Sequence, residues 1–494
     1  MAEKDNGEEG LLYSSTFAPL LRQKAVAIWS LHQAVVAGIL IAVFMLRTAV
    51  AHAPVLSWAT LVLVAILVVD LVTVRGLSMW QVAGLRLGLL LRQATGATKA
   101  TFSPITSGAT VAFADIPGEE GETVNTYRVV NTGEMDGACF LWDSVHNQAT
   151  APLLMEAQSD QLAKADIRNT RADEFAAALH SLADQPDVVR VTLQARALRR
   201  PVEKSPGLSA AEGNAAAADI EYLEDGPLAH TIRHDYILGI TIDPSARSTS
   251  KVNFSKPRAS LEDVSRLLAK RVSELCSMLA GTGVRPDGIT WMNAAQVRGQ
   301  MKVLTDPDAY QLLDPQGNLP DDVPVQTSWR EMADHVAVGP SYARSFWISQ
   351  WPVGLPVFSD WLTELTRSPD SQQILTLVFH HRTEHQAKAS FDRKNQEAGS
   401  MRWLNRKLDR PDDDKIESEE QTIARLKRES SENGGDIQFQ GFATILADDL
   451  SALDEADQGI QRLFKKKGMY LDRQRDQQLT RWVGALPLGL EGRK

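Results

Sequence analysis

Two nearly unbroken apolar runs interrupt an otherwise mixed pattern of polar and apolar positions. Ala25 to Leu46 (AVAIWSLHQAVVAGILIAVFML) and Val55 to Val74 (VLSWATLVLVAILVVDLVTV) each approach the roughly 20 residues that a helix rising ~1.5 Å per residue needs to cross a ~30 Å hydrocarbon core. Only Thr48 to Pro54 lie between them, so residues 25–74 are predicted to form an antiparallel transmembrane hairpin, after a flexible tail, residues 1–24, that opens acidic (Glu3, Asp5, Glu8, Glu9). Arg22 and Lys24 precede the hairpin and Arg75, Arg86, Arg92 and Lys99 follow it, whereas the connecting loop offers Arg47 and His52. The positive-inside rule then places the chain in the inner (cytoplasmic) membrane as a multi-pass protein with both termini cytoplasmic. His32, Gln33 and Asp70, polar groups within the runs, read as contacts for helix association in a larger assembly, with an ion path as the alternative.

After the hairpin the periods change. Met79 to Gln93 can separate Trp80, Leu87 and Leu91 from Arg86 and Arg92, which suits either a helix on the inner leaflet (residues 75–97) or a core helix. Residues 98–200 read as a small β-rich or α+β domain. Its expected strands are Ala109–Ala114, Val124–Asn131, Ala138–Val145, Ala149–Glu156 and Val188–Leu198, with a helix at Arg171–Asp184. Pro201 to Asp219 is linker-like, giving a linker over residues 201–228. Residues 229–372 form an expected α+β domain, with a strand at His230–Ile242 and a helix at Leu261–Leu279 whose Val264, Leu267, Leu268, Val272, Leu275 and Leu279 make an apolar stripe. Val336–Trp351 reads as a strand and Phe358–Thr366 as a short helix. Residues 373–494 form a third α+β unit. It comprises a strand at Gln373–His381, a charged two-helix arm over 383–431, a strand at Ile437–Ala447, and a helix over Ala452–Lys466 capped by Ser451 and Asp454. A closing segment, Leu479–Leu490, ends it. The strands up to residue 242 and the helices 171–184 and 261–279 read as a sheet with helices laid on one face, and the fold class expected is a membrane-anchored α+β protein: an N-terminal two-helix transmembrane hairpin, then a cytoplasmic α+β body with a projecting helical arm.

Composition narrows the chemistry. A net charge of -10 and a pI near 5.6 argue against wholesale nucleic-acid binding. The basic groups Lys465–Lys467 and Arg402, Arg406, Lys407 and Arg410 read as solvated faces of helices flanked by acids. Cys139 and Cys276 are the chain's two cysteines; far apart and outside any CxxC pair, they read as reduced and buried. The sequence contains no GxxxxGK[ST] phosphate cradle, no GxGxxG after a strand and no GxSxG elbow, so ATP hydrolysis by this chain alone is not expected. His381, Glu384 and His385 match H-x-x-E-H, the arrangement in which two imidazoles hold zinc and a glutamate activates water. Here it follows a β run rather than lying within an amphipathic helix. No catalytic residue, cofactor site or metal site is therefore expected, and a zinc peptidase is the least favoured reading.

Several segments together resemble an actinobacterial family of integral-membrane proteins encoded with conjugative, type IV secretion-like systems. They are the two-span start, Thr327-Ser-Trp-Arg-Glu331, Tyr342-Ala-Arg-Ser-Phe-Trp347, Pro352, the strand Ile374–Phe379 before a charged stretch, and Ala485-Leu-Pro-Leu-Gly-Leu490. The last is similar to the segment that closes the amino-terminal domain of the conjugative traffic ATPase. The resemblance implies a PrgI-like two-span subunit joined to a traffic-ATPase amino-terminal-like domain without the motor. It also implies a non-catalytic inner-membrane scaffold that positions a separate traffic ATPase and other channel subunits within a hetero-oligomer. The alternative is the membrane subunit of a type VII secretion core complex.

Overall fold

Along Val188–Pro201 (VVRVTLQARALRRP) apolar and polar residues occupy both sides of the extended chain, and both sides are covered in the folded protein. That requirement, a central strand with two dry faces, explains most of the architecture. The computed structural model describes residues 38–46, 73–74, 77–101, 124–130, 132–157, 164–183, 185–201, 230–245, 260–280, 282–325, 328–352, 372–383 and 435–491, together with 14–15, 58, 60, 62–64, 67, 357–358 and 365. They fall into two units. One is drawn from Met1–Phe17, Ala97–His381 and Ile437–Lys494, the other from Ala18–Gly96 and Arg382–Asp436.

In the first unit, β1 (Ser14–Ser15) forms a two-residue pairing described below. The sheet itself begins with β4 (Lys99–Thr101), since β2 (Thr73–Val74) and β3 (Leu77–Ser78) belong to the second unit. It continues through β5 (Val124–Arg128), β6 (Cys139–Asp143), β7 (Gln148–Ala157), β8 (Val188–Pro201), β9 (His230–Ile242), β10 (Val284–Trp291), β11 (Ser328–Glu331), β12 (Val336–Val338) and β13 (Ser341–Gln350). After β14 (Val357–Phe358), which pairs antiparallel with β1, come β15 (Gln372–Thr383), β16 (Gly435–Ala447) and β17 (Tyr470–Arg473). Among the described residues these make a 13-stranded sheet in the order β4-β11-β12-β13-β16-β15-β8-β9-β7-β6-β5, with β10 on β7 and β17 on β13. The longest register is antiparallel β8–β9, which runs from Val188↔Ile242 to Pro201↔His230. Strands from all three stretches expected as separate α+β units thus share one sheet.

Helices cover both faces. On one side lie α2 (Ala165–Ala183), α3 (Leu261–Leu279) and α5 (Leu450–Lys466). Ser260 caps α3 by accepting a hydrogen bond from the Asp263 N–H. Val264, Leu268, Val272, Leu275 and Leu279 of its stripe are buried against Val191, Leu238 and Ile240, with Leu267 partly buried at the margin, each fully buried side chain contributing about 1.5–3 kcal/mol. Leu453, Ile460 and Phe464 of α5 pack on Phe346, Ile348, Leu375 and Leu377. On the other side lie α4 (Ala294–Thr305), α6 (Gln478–Val483) and the segment after it. There Val297, Met301, Leu304, Trp482, Val483, Leu486 and Leu488 join Leu198, Ile237 and Ile374 in one cluster. The two helices expected on one face, 171–184 and 261–279, do share it; α4, α6 and the segment after α6 cover the other, because a sheet whose central strands alternate two sets of buried residues needs cover on both sides.

In the second unit, β2 (Thr73–Val74) pairs antiparallel with β3 (Leu77–Ser78), and α1 (Met79–Thr95) follows with Leu89 buried and Leu87, Leu90 and Leu91 exposed. These observations overturn the membrane-anchored fold class. Among the described residues no helix is long and apolar enough to cross a membrane. Residues 38–46 of the first apolar run and 58, 60, 62–64 and 67 of the second are helical. The end of the second apolar run, Thr73–Val74, is a strand in a tight pairing rather than helix. The remainder of 25–74 lies mostly outside the described residues. The multi-pass inner-membrane placement with both termini cytoplasmic rested on that hairpin and loses its basis with it.

Smaller differences have local causes. The cap of α5 is Asp449, which accepts from the Ala452 N–H, so the helix starts two residues before the box expected at Ser451 and Asp454. Phe358 is in β14 rather than at the head of a helix. Strand β10 and helix α4, the latter closed by an Asn293–Gln296 capping box, were not anticipated. The tail 1–24, apart from β1, the strand expected at 109–114, the linker 202–228 and the arm 384–431 lie outside the described residues.

Candidate functional site

Four neighbouring strands put small or polar side chains where a sheet normally puts Val, Ile or Leu. Thr376 of β15, Thr192 and Gln194 of β8, Thr241 of β9 and Thr150 of β7 are all buried, and Gly239 of β9 sits opposite Thr192. A buried polar side chain costs about 1–3 kcal/mol unless it finds a partner, so the identity of the partners is informative. Thr150 and Thr241 share a 2.9 Å hydroxyl hydrogen bond. Gln194 Nε2 donates to the carbonyls of Gly484 and Leu486, both at 2.9 Å, and Thr376 Oγ1 donates to that of Gly484 at 3.4 Å.

The segment so held, Gly484 to Glu491, follows α6 and crosses the sheet. Leu486 and Leu488 point into the core cluster. Gly489, at φ +68°, crosses Gly239 so closely that a Cβ built on Gly489 would lie 2.7 Å from the Gly239 Cα. Only glycine satisfies both the left-handed backbone and the close approach. Two elements distant in sequence thus meet backbone to backbone, gripped by side-chain donors.

The segment ends in a charged clasp. Glu491 accepts from Arg190 Nη1 at 3.4 Å and faces His380 Nε2 at 3.3 Å, and Gln440 Nε2 donates to the same carboxylate. Burial by itself would raise the Glu491 pKa. The His380 hydrogen bond and the charges of His380, Arg190 and Arg481 outweigh it and hold the carboxyl below its usual value of 4.5. A depressed folded-state pKa contributes stability that is full above about pH 4.5 and is lost as pH falls through the folded value. Glu491→Gln should therefore shrink the stability difference between pH 7 and pH 3, by about 1 kcal/mol after allowing for partial exposure. Urea titrations at the two pH values measure it, and an unchanged difference would remove Glu491 from the acid response.

A second charged cluster fastens α5. Arg344 of β13 donates to Asp457 at 2.6 Å, Asp454 at 2.8 Å and Asp334 at 3.2 Å, and Arg473 also bonds Asp457. Asp457 is wholly buried between its two arginines.

The sequence-derived candidates do not converge. His381 is in β15, while Glu384 and His385 lie outside the described residues. The neighbouring His380 is engaged with Glu491. Among the described residues there is no group of three His, Cys, Asp or Glu that could hold a metal. Cys139 in β6 is a free thiol that burial pushes up to about 12, and Cys276 in α3 is likewise free. Lys465 and Lys466 close the last turn of α5, where they complement the helix dipole; Arg402, Arg406, Lys407 and Arg410 lie outside the described residues. Sequence reasoning missed Gln194, Gly239, Gly489 and Glu491. The available signal was the run Thr192-Leu-Gln194-Ala-Arg196, polar at alternate positions of a strand too long to be an edge.

The arrangement is chemically a gripping surface: amide and hydroxyl donors directed at main-chain carbonyls, flanked by an apolar wall and ended by an ion-paired clasp. Compared with known proteins, the chain matches no family model and no curated sequence.

Proposed function

We propose that this chain is a non-catalytic docking scaffold of a conjugative, type IV secretion-like translocation apparatus, in which it positions a separate traffic ATPase. One observation carries the reading. Apart from the two-span start, which is no part of that sheet, the segments that resemble the secretion family are scattered over more than 160 residues of sequence, yet four of them meet in one sheet and the segment strapped across it. Ser328–Glu331 is β11, Tyr342–Trp347 lies within β13, Ile374–Phe379 lies within β15, and Ala485–Leu490 is the segment strapped across the sheet. A resemblance limited to unrelated surface stretches would have no reason to gather in one sheet and its strap. The site chemistry agrees with a binding role, since its donors hold backbone rather than a reacting group.

The test is co-purification of the full chain with the traffic ATPase encoded beside it. Association is expected at low ionic strength and is expected to weaken with salt, because the charged stretch 383–431 supplies both signs for complementary pairing. Replacing Gln386 to Ser430 by a short Gly/Ser linker should lower the affinity about tenfold or more while leaving the fold intact by circular dichroism. Equal binding by the deleted form would remove the charged stretch from the interface. Recovery of no ATPase with either form would overturn the scaffold reading.

A further inference from the structure

The strand that grips the closing segment carries a second polar layer toward its far end. Arg196 and Arg200 are four residues apart on β8 and so lie on the same face. Arg196 is 1 % exposed. Its Nη1 donates to Gln300 Oε1 at 3.2 Å and its Nη2 to the Gln300 carbonyl at 3.4 Å, both neutral acceptors, and its Nε has no partner. Arg200 bonds Asp235, which stands opposite Arg196 on β9, and its guanidinium carbon lies 4.4 Å from the ring centroid of Tyr310. The Nε of Arg200 is also buried without a partner, and the hydroxyl of Tyr310, whose oxygen faces the Arg200 guanidinium, is buried with no acceptor for its proton.

Three unsatisfied polar atoms on neighbouring side chains are a concentration that buried polar groups seldom show. The charge balance is incomplete as well. Among the described side chains of the layer Arg196 and Arg200 supply two positive charges and Asp235 one negative, leaving one positive charge uncompensated. Burial works against the charge on Arg196, with Asp235 opposing it. Leaving a guanidinium buried beside neutral partners alone is strongly unfavourable.

We propose that Arg196, Arg200 and Tyr310 form a binding site for a small oxyanion of the phosphate class, set between β8, β9 and the 3-10 turn Pro307–Leu312 that follows α4. All three groups with free capacity can donate: two guanidinium N–H groups and a phenol. Burial and Asp235 keep that phenol protonated, raising its pKa. Donors arriving from a strand and from a separate turn suit a tetrahedral anion, whose oxygens diverge, better than a planar carboxylate, and guanidinium groups match phosphate geometry. One negative charge neutralises the layer. Since the three atoms are themselves enclosed, entry is through Arg200, whose side chain is 18 % exposed. Its swing away from the Tyr310 ring opens the site.

The experiment is titration of the full chain with inorganic phosphate, followed by calorimetry and by 31P line width, against sodium chloride at matched ionic strength. Saturable phosphate binding is expected, weakened about tenfold by Arg200→Met. Tyr310→Phe keeps the ring beneath Arg200 and removes only the hydroxyl; it should weaken binding by a smaller factor. Arg196→Met removes a residue of the core and can unfold the chain, so the two other variants carry the test. Absence of saturable binding to the wild type, or the same affinity in wild type and both variants, overturns the proposal. Neither result bears on ATPase docking, which is read by a different measurement.

Discussion

Gly239→Val is expected to destabilise the protein by about 3 kcal/mol. Gly239 lies near the centre of β9, where the chain meets Gly489 of the closing segment backbone to backbone, and a side chain there would overlap both the Gly489 Cα and Thr192 Oγ1. A surface loop could retreat at little cost. This segment cannot, because Leu488 beside the contact is fully buried and the Gly484 and Leu486 carbonyls are held by Gln194. Relief must therefore come from lifting the segment, which exposes apolar area and strands the Gln194 amide, or from bending a central strand paired on both sides. Gly459→Ala is the control. It lies in α5 with nothing within 4 Å of an added Cβ, and alanine there should stabilise by about 0.5–1 kcal/mol through helix propensity. Urea unfolding of the three proteins decides between them, and limited proteolysis shows whether the carboxy-terminal segment is the part released. A valine variant within about 0.5 kcal/mol of wild type would mean that the segment is not seated on β9.

Asp187→Ala should cost about 3–5 kcal/mol, the range expected when one partner of a buried ion pair is removed. Asp187 is 0 % and Arg271 2 % exposed at the side chain. The pair is bidentate, with Nε to Oδ2 and Nη2 to Oδ1 both at 2.8 Å, and the remaining Nη1 donates to Glu274. The pair joins α3 to the turn that launches β8, and the Asp187 carbonyl also receives the Asp243 N–H at the end of β9. Truncating Asp187 leaves the Arg271 charge buried with Glu274 as its remaining carboxylate partner. Replacing both, as Asp187→Ala with Arg271→Met, removes the stranded charge and should recover most of the loss. A double-mutant cycle in guanidinium chloride measures the coupling. If the double variant is as unstable as the sum of the singles, the two residues are not acting as a pair.

How far these residues could be foreseen depends on the range of the interaction that fixes each one. The helix α3 and the strand β9 were legible to the residue at both ends. A 3.6-residue apolar stripe over 261–279 and a β-rich run over 230–242 are local patterns that the fold preserves. Asp187 and Arg271, by contrast, are separated by 84 residues, and neither has a sequence neighbour that betrays the pairing. The acceptors of Gln194 lie 290 and 292 residues away, so a glutamine in mid-strand reads only as an oddity until the closing segment is seen beside it.

The two apolar runs show the opposite failure. Hydropathy reports how much a stretch gains by leaving water, and on that measure 25–46 and 55–74 resemble membrane spans. It does not report backbone geometry, and Thr73–Val74 adopts a strand paired to Leu77–Ser78. Likewise Asp449 and Ser451 are equally good capping residues by type, and the helix begins at the one whose carboxylate meets the Ala452 N–H. What the chain determined by itself was the set of elements whose period and caps are complete within about 20 residues, since those depend on neighbours in sequence. Strand order, two-sided cover of the sheet, the Gly239–Gly489 crossing and the Arg196–Arg200–Tyr310 layer were decided only in three dimensions. Each is a contact between segments whose separation carries no local signature, and burial and charge compensation alone select it.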